Sequence, residues 1–176
     1  MIFNPAGLSG AYIIDMEPIT DDRGFFARAW CRDTFEKHGL KTDFVQSNNS
    51  FSRSKGTLRG LHYQVSPYQE AKLVRCIKGA IYDVMIDVRP DSGTYGQWFG
   101  IELNAENRRM IYMPEGIAHG FLTLQDETEI LYNITQSYHP ECERGIRYND
   151  PSIKIKWPRK IEVVTEKDLQ WSDFEL

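Results

Sequence analysis

The 176-residue chain is 41% apolar and 12% aromatic and carries a formal charge of −4, which supports a packed core and excludes a disordered chain or a general nucleic-acid binder, whose phosphate contacts need a basic face. Its longest apolar runs, residues 11–14 and 84–86, are far too short to cross a membrane, and the start of the chain lacks the basic-then-apolar order of a secretory signal. A single domain spanning residues 1–176, cytoplasmic and without membrane or nucleic-acid partners, is expected.

From the N-terminus, short segments rich in Val, Ile, Tyr, Phe and Thr and bounded by Gly, Pro, Asn and Asp predict strands at residues 10–16 and 24–30. A short helix follows at residues 33–38, with Asp33 suited to cap its first turn and Gly39 to end it in the left-handed conformation. Further strands are predicted at residues 43–50, 57–63, 72–77, 80–88, 98–103, 109–113, 119–124 and 130–136. Turn residues such as Lys78-Gly79 and Pro114-Glu115-Gly116 join the middle strands by loops of a few residues, as antiparallel neighbours require. The expected fold is all-β, a jelly-roll barrel or sandwich with one short helix and a loop-rich C-terminal arm from residue 150 to 176. Cys31, Cys76 and Cys142 lie far apart with no Cys-x-x-Cys pair, so inert thiols are expected rather than disulfides or a metal cage.

Two histidines stand in unusual company: His62 in Leu58-Arg59-Gly60-Leu61-His62-Tyr63-Gln64, and His119 in Pro114-Glu115-Gly116-Ile117-Ala118-His119-Gly120-Phe121. A strand histidine alone fits a structural role as readily as a catalytic one. The neighbours Arg59, Lys72 and Arg75 are cationic in an otherwise apolar segment, and buried cations need partners; a diphosphate supplies them, so a small anionic ligand is implied. Strand parity would send Arg59 and His62 to opposite faces, so their cooperation requires a bulge or turn near Gly60. A metal site is disfavoured, because a His-x-His pair is missing: the second position after His62 is Gln64. Neither a Gly-x-Ser-x-Gly elbow nor a reactive cysteine motif is present, which leaves acid–base chemistry.

Together with Asp22-Arg23-Gly24-Phe25-Phe26, Ala71-Lys72-Leu73-Val74-Arg75, Tyr95-Gly96-Gln97-Trp98, Leu131-Tyr132 and Glu143-Arg144-Gly145, these motifs resemble the dTDP-4-dehydrorhamnose 3,5-epimerases, cupin-fold enzymes of rhamnose nucleotide synthesis. The resemblance spans nearly the whole chain. It implies a nucleoside-diphosphate 4-keto-6-deoxyhexose as substrate, no cofactor and no metal. By this resemblance His62 is the base, Asp168 the carboxylate that orients it, Tyr132 the acid, and Lys72 and His119 lie close to the reacting sugar. Arg23, Arg59, Gln46, Asn48, Glu143 and Lys167 match nucleotide-binding positions. The family's dimers exchange N-terminal strands, so Arg23 and Phe26 are expected to serve the neighbour's site.

The chain also departs from the pattern. Arg28 stands where relatives usually carry the glutamate that resembles a thymine contact, the segment Gln46-Ser47-Asn48-Asn49-Ser50-Phe51 differs from the usual Gln-Asp-Asn-His-Ser with one residue inserted before His62, and Asn133 replaces a lysine. Arg28 and Ser47 are kept with Gln46 and Asn48 as candidate substrate contacts. Two rivals therefore stand beside the 3,5-epimerase reading: an epimerase acting at one carbon or on a CDP-linked sugar, and a non-catalytic cupin that binds nucleotide-sugars.

Overall fold

Alternating apolar and polar residues along the middle of the chain are satisfied by antiparallel sheets packed face to face. The computed structural model describes residues 1–175. In chain order its elements are β1 (Ile2–Pro5), β2 (Tyr12–Asp15), β3 (Ile19–Asp21), β4 (Gly24–Phe26), α1 (Arg32–Lys37), β5 (Gln46–Ser52), β6 (Leu58–Gln64), β7 (Lys72–Lys78), β8 (Ala80–Asp87), β9 (Trp98–Asn104), β10 (Met110–Met113), β11 (Ile117–Thr123), β12 (Thr128–Ile134), β13 (Glu143–Gly145) and α2 (Glu166–Leu169). One sheet has the order β1-β2-β10-β7-β12-β5, the other β13-β6-β11-β8-β9, and β3-β4 forms a separate ribbon.

Between the sheets lie Val74, Cys76, Ile111, Met113 and Ile130 from the first and Ile81, Met85, Leu103, Ile117 and Phe121 from the second. Burial of each such large side chain contributes about 1.5–3 kcal/mol. The outer faces are partly covered as well. Helix α1 and its flanks bring Phe35 and Leu40 onto Ile14, Leu73, Met110 and Tyr112. Ile146 after β13 and Ile153, Trp157 and Phe174 of the C-terminal arm lie over Leu61, Val84, Ile86 and Ala118. Strand β8 is thus covered on both sides, which explains why every residue in it except Tyr82 is buried.

The jelly-roll expectation holds, with corrections at the ends. The segment expected to run to residue 30 stops at Phe26, and β1, β3, β13 and α2 had no sequence signal. Helix α1 begins one residue early: Cys31 is its cap and makes no side-chain cap bond, while Asp33 sits in the first turn. Gly39 does adopt φ +69° after the helix. The three cysteines are unpaired, Cys76 buried and the others partly covered. No helix among the described residues is long and apolar enough to cross a membrane.

The connection after β8 is held by Asp87. Its buried carboxylate accepts from the Arg89 guanidinium at 2.9 and 2.7 Å and from the Ser92 and Thr94 hydroxyls at 2.6 Å each. Burial alone would raise this carboxyl, but Arg89, Ser92 and Thr94 hold it at about 2, below the ordinary 3.8. A depressed carboxyl stabilises the fold above its unfolded value and loses that contribution as pH falls through the folded one. Asp87→Asn is therefore expected to cost about 2 kcal/mol at pH 7 and to flatten the stability loss between about pH 4 and 2 in denaturant titrations. An acid limb identical to that of the unaltered protein would refute this assignment.

Candidate active site

The site begins with a bulge in β6. His62 pairs with His119 and Arg59 with Phe121, so three steps on β6 face two on β11. Gly60 makes this possible. It has φ +115°, and an added Cβ would lie 2.5 Å from Gly120 Cα; a Cβ on Gly120 would in turn lie 2.7 Å from the Arg59 carbonyl oxygen. Side chains three apart, which a regular strand would separate, therefore line one cavity.

Two adjoining cavities of about 330 and 290 Å3 share His62, Lys72 and Tyr132 as walls. The first is also lined by Gln46, Asn48, Glu70 and Glu143, the second by Arg59, His119, Lys167 and Asp168. His62 comes from one sheet, on β6, whereas Lys72 and Tyr132 come from the facing sheet, on β7 and β12. The imidazole and the phenol thus enter from opposite walls.

The partners of His62 define its chemistry. Its Nε2 lies 2.5 Å from Asp168 Oδ1, so this nitrogen is the donor to the carboxylate, and in the neutral imidazole Nδ1 carries the lone pair. Burial alone would raise the Asp168 carboxyl, but the hydrogen bond and charge of His62, with the Thr165 hydroxyl and the Gly60 amide, hold it below the usual carboxylate range. Thr165 caps the short helix that delivers Asp168. Glu143 Oε1 stands 3.9 Å from Nδ1, while its other oxygen accepts from Tyr138 Oη at 2.7 Å and Lys167 Nζ at 2.5 Å. Burial pushes the Tyr132 phenol up, with Arg59 opposing and Glu70 assisting, so the hydroxyl keeps its proton at neutral pH.

The remaining expected residues divide into two groups. Gln46 donates to Asn48 at 2.8 Å, and Arg59 is steadied by Ser52 Oγ and the Phe51 carbonyl at 3.2 and 3.0 Å. His119 Nε2 lies 2.8 Å from the buried Asp83 carboxylate. Ser47, by contrast, alternates onto the other face of β5, and Arg75 shares the outer face of β7 with Leu73, so neither joins the cavities. Arg23 is paired with Asp21 on the exposed ribbon, and Phe26 and Arg28 are exposed. None of the three lines either cavity within this chain.

Sequence reasoning missed Glu70, Asp83 and Trp171. The indole packs edge-on to His62 at 6.1 Å, in space that a Cβ on Gly145 would occupy. Only pairing and tail packing bring these side chains in, and no local pattern marks them. Gln64, where a metal-binding cupin would place its second histidine, spends its amide inside the protein: Nε2 donates to the Tyr68 carbonyl, Glu70 and the Ser137 carbonyl, and Oε1 accepts from the His139 amide. No group of three or more His, Cys, Asp or Glu among the described residues is arranged to hold a metal ion.

Comparison with known proteins points to one family. The profile of a family described as dTDP-4-dehydrorhamnose 3,5-epimerase matches residues 5–175. The dTDP-4-dehydrorhamnose 3,5-epimerase of Methanothermobacter thermautotrophicus is 46% identical over 172 residues, 96% of this chain and 92% of its own length. The dTDP-4-dehydrorhamnose 3-epimerase of Streptomyces niveus is 37% identical over 169 residues, 96% of this chain and 81% of its own length. The crystal structure of dTDP-4-dehydrorhamnose 3,5-epimerase from Bacillus anthracis, with TDP and PPi bound, superposes with a TM-score of 0.94 at 36% identity and covers 98% of this chain and 99% of that one.

Proposed function

Because this chain belongs to the dTDP-4-dehydrorhamnose 3,5-epimerase family and is a sugar-nucleotide epimerase, we propose that it inverts carbons 3 and 5 of a dTDP-linked 4-keto-6-deoxyhexose through enolates, without a metal. The entry of His62 and Tyr132 from opposing sheets into shared cavities carries this reading. Both carbons flank the C4 ketone, so His62 Nδ1 can take either hydrogen and leave an enolate. Tyr132 then returns a proton to the other face of that carbon, which inverts it. Acid–base groups supply on the order of 10²–10⁴-fold each, too little for an unactivated carbon acid. Lys72 and His119 supply the cationic and hydrogen-bonding help that the oxyanion needs. Arg59 and Lys167 suit the diphosphate, and Gln46, Asn48 and Glu143 line the rest of the substrate site.

The working unit is proposed to be a homodimer of single-domain chains with exchanged N-terminal strands. Ile19 and Phe26 on the ribbon are 72% and 69% exposed, and Phe51 and Leu131 stand bare on the outer face of β5 and β12, where a second copy would cover them. Arg23, Phe26 and Arg28 would then reach the partner's cavity.

The test is incubation in deuterated water with dTDP- and CDP-linked 4-keto-6-deoxyglucose, reading C3 and C5 by NMR. Exchange at both carbons with faster turnover of the dTDP substrate is expected; exchange at C3 alone would establish a mono-epimerase, and none at either carbon a binding cupin. Arg28 favours the CDP reading, since a guanidinium has only donors and suits the acceptors of cytosine. We expect Arg28→Glu to leave the dTDP preference in place. A shift towards dTDP worth about 1.5–3 kcal/mol, from an initial CDP preference, would instead assign base reading to Arg28.

A further inference from the structure

Lys72 is restrained by a carboxylate to which no role has yet been given. Its ammonium has three N–H donors. The ammonium is ion-paired with Glu70 Oε1 at 3.1 Å and donates to the His62 carbonyl oxygen at 3.3 Å, which leaves donor capacity for the cavities that Lys72 shares with Tyr132. Glu70 is itself held fast: its side chain is 7% exposed, and Oε2 accepts from Gln64 Nε2 at 2.7 Å. Gln64 is clamped in turn by the backbone of Tyr68, Ser137 and His139. The chain thus runs from fixed backbone, through Gln64 and Glu70, to a single ammonium at the cavity wall.

A lysine stem is long and flexible, and a hydrated ammonium fits no preset geometry by itself. Stabilisation of a developing oxyanion, however, depends on donors that are already in place. We propose that Glu70 is a positioning residue for epimerisation, acting through Lys72 to hold the ammonium where the enolate oxygen forms, with Gln64 as the anchor of the pair. This rests on the reading of Lys72 as an oxyanion-stabilising group.

Glu70→Gln keeps the shape and can still meet Gln64, but it turns an amide towards Lys72 or drops the charge that attracts it. The expected result is a fall in kcat for epimerisation and for deuterium wash-in on the order of 10–10²-fold, with KM changed less than threefold, as for a catalytic group displaced by about an ångström. In Glu70→Gln/Lys72→Met the loss should match that of Lys72→Met alone, because the carboxylate acts only through the ammonium. If Glu70→Gln does not fold, Glu70→Asp retains the charge, pulls the ammonium back, and should show the same fall in kcat and the same lack of additivity. Wild-type rates in Glu70→Gln beside a damaged Lys72→Met would overturn the proposal and leave the Lys72 reading standing. Losses that multiply in the double variant would also overturn it. Wild-type rates in Lys72→Met would remove the premise instead.

Discussion

Replacing His62 by alanine is expected to lower epimerisation by about 10²–10⁴-fold and to suppress deuterium exchange at C3 and C5 in step, since every turnover begins with its Nδ1. The variant removes more than a base. Asp168, with a side chain only 4% exposed and a carboxyl held low chiefly by His62, would lose its main partner and cost about 1–3 kcal/mol of stability. His62→Gln separates the two effects, because its amide nitrogen reaches the position of Nε2 and can still donate to Asp168, yet cannot take a proton from carbon. Melting temperature should recover towards wild type in that variant while exchange stays lost. Near-normal exchange in either variant would remove His62 from the role.

Tyr132→Phe is expected to divide the two halves of the reaction. The ring packs against the core between the sheets, so phenylalanine keeps that contact and loses only the hydroxyl. Burial keeps this hydroxyl protonated, and it enters from the wall opposite His62, which is the requirement for a donor to the far face of the sugar. Without it, His62 can still remove a hydrogen and return a deuteron from solvent to the same face. Inversion should therefore fall by at least about 10²-fold while exchange with retention persists. The measurement is NMR of recovered substrate in deuterated water, comparing deuterium content with configuration. Slight and equal effects on both would assign Tyr132 to packing.

The amino-acid order by itself determined the all-β class and most strands of the two large sheets, and it pointed to acid–base rather than nucleophilic chemistry. Residues 80–88 read as a strand because they become β8, buried on both faces, and residues 57–63 because β6 carries the run around His62. Strand parity also located a required break near Gly60. Only the tertiary structure decided how that break is built, since the bulge exists where the backbones of Gly60 and Gly120 come too close for side chains. It alone brought Asp168 from a four-residue helix in the tail to His62, a separation of 106 residues. It alone set Glu70 and Gln64 behind Lys72, and turned Ser47 and Arg75 away from the cavities. The physical reason is one of range. Periodicity and turn chemistry act between residues a few positions apart, whereas the partners of a buried charge are chosen by whichever chain segments the packed sheets bring within hydrogen-bond reach.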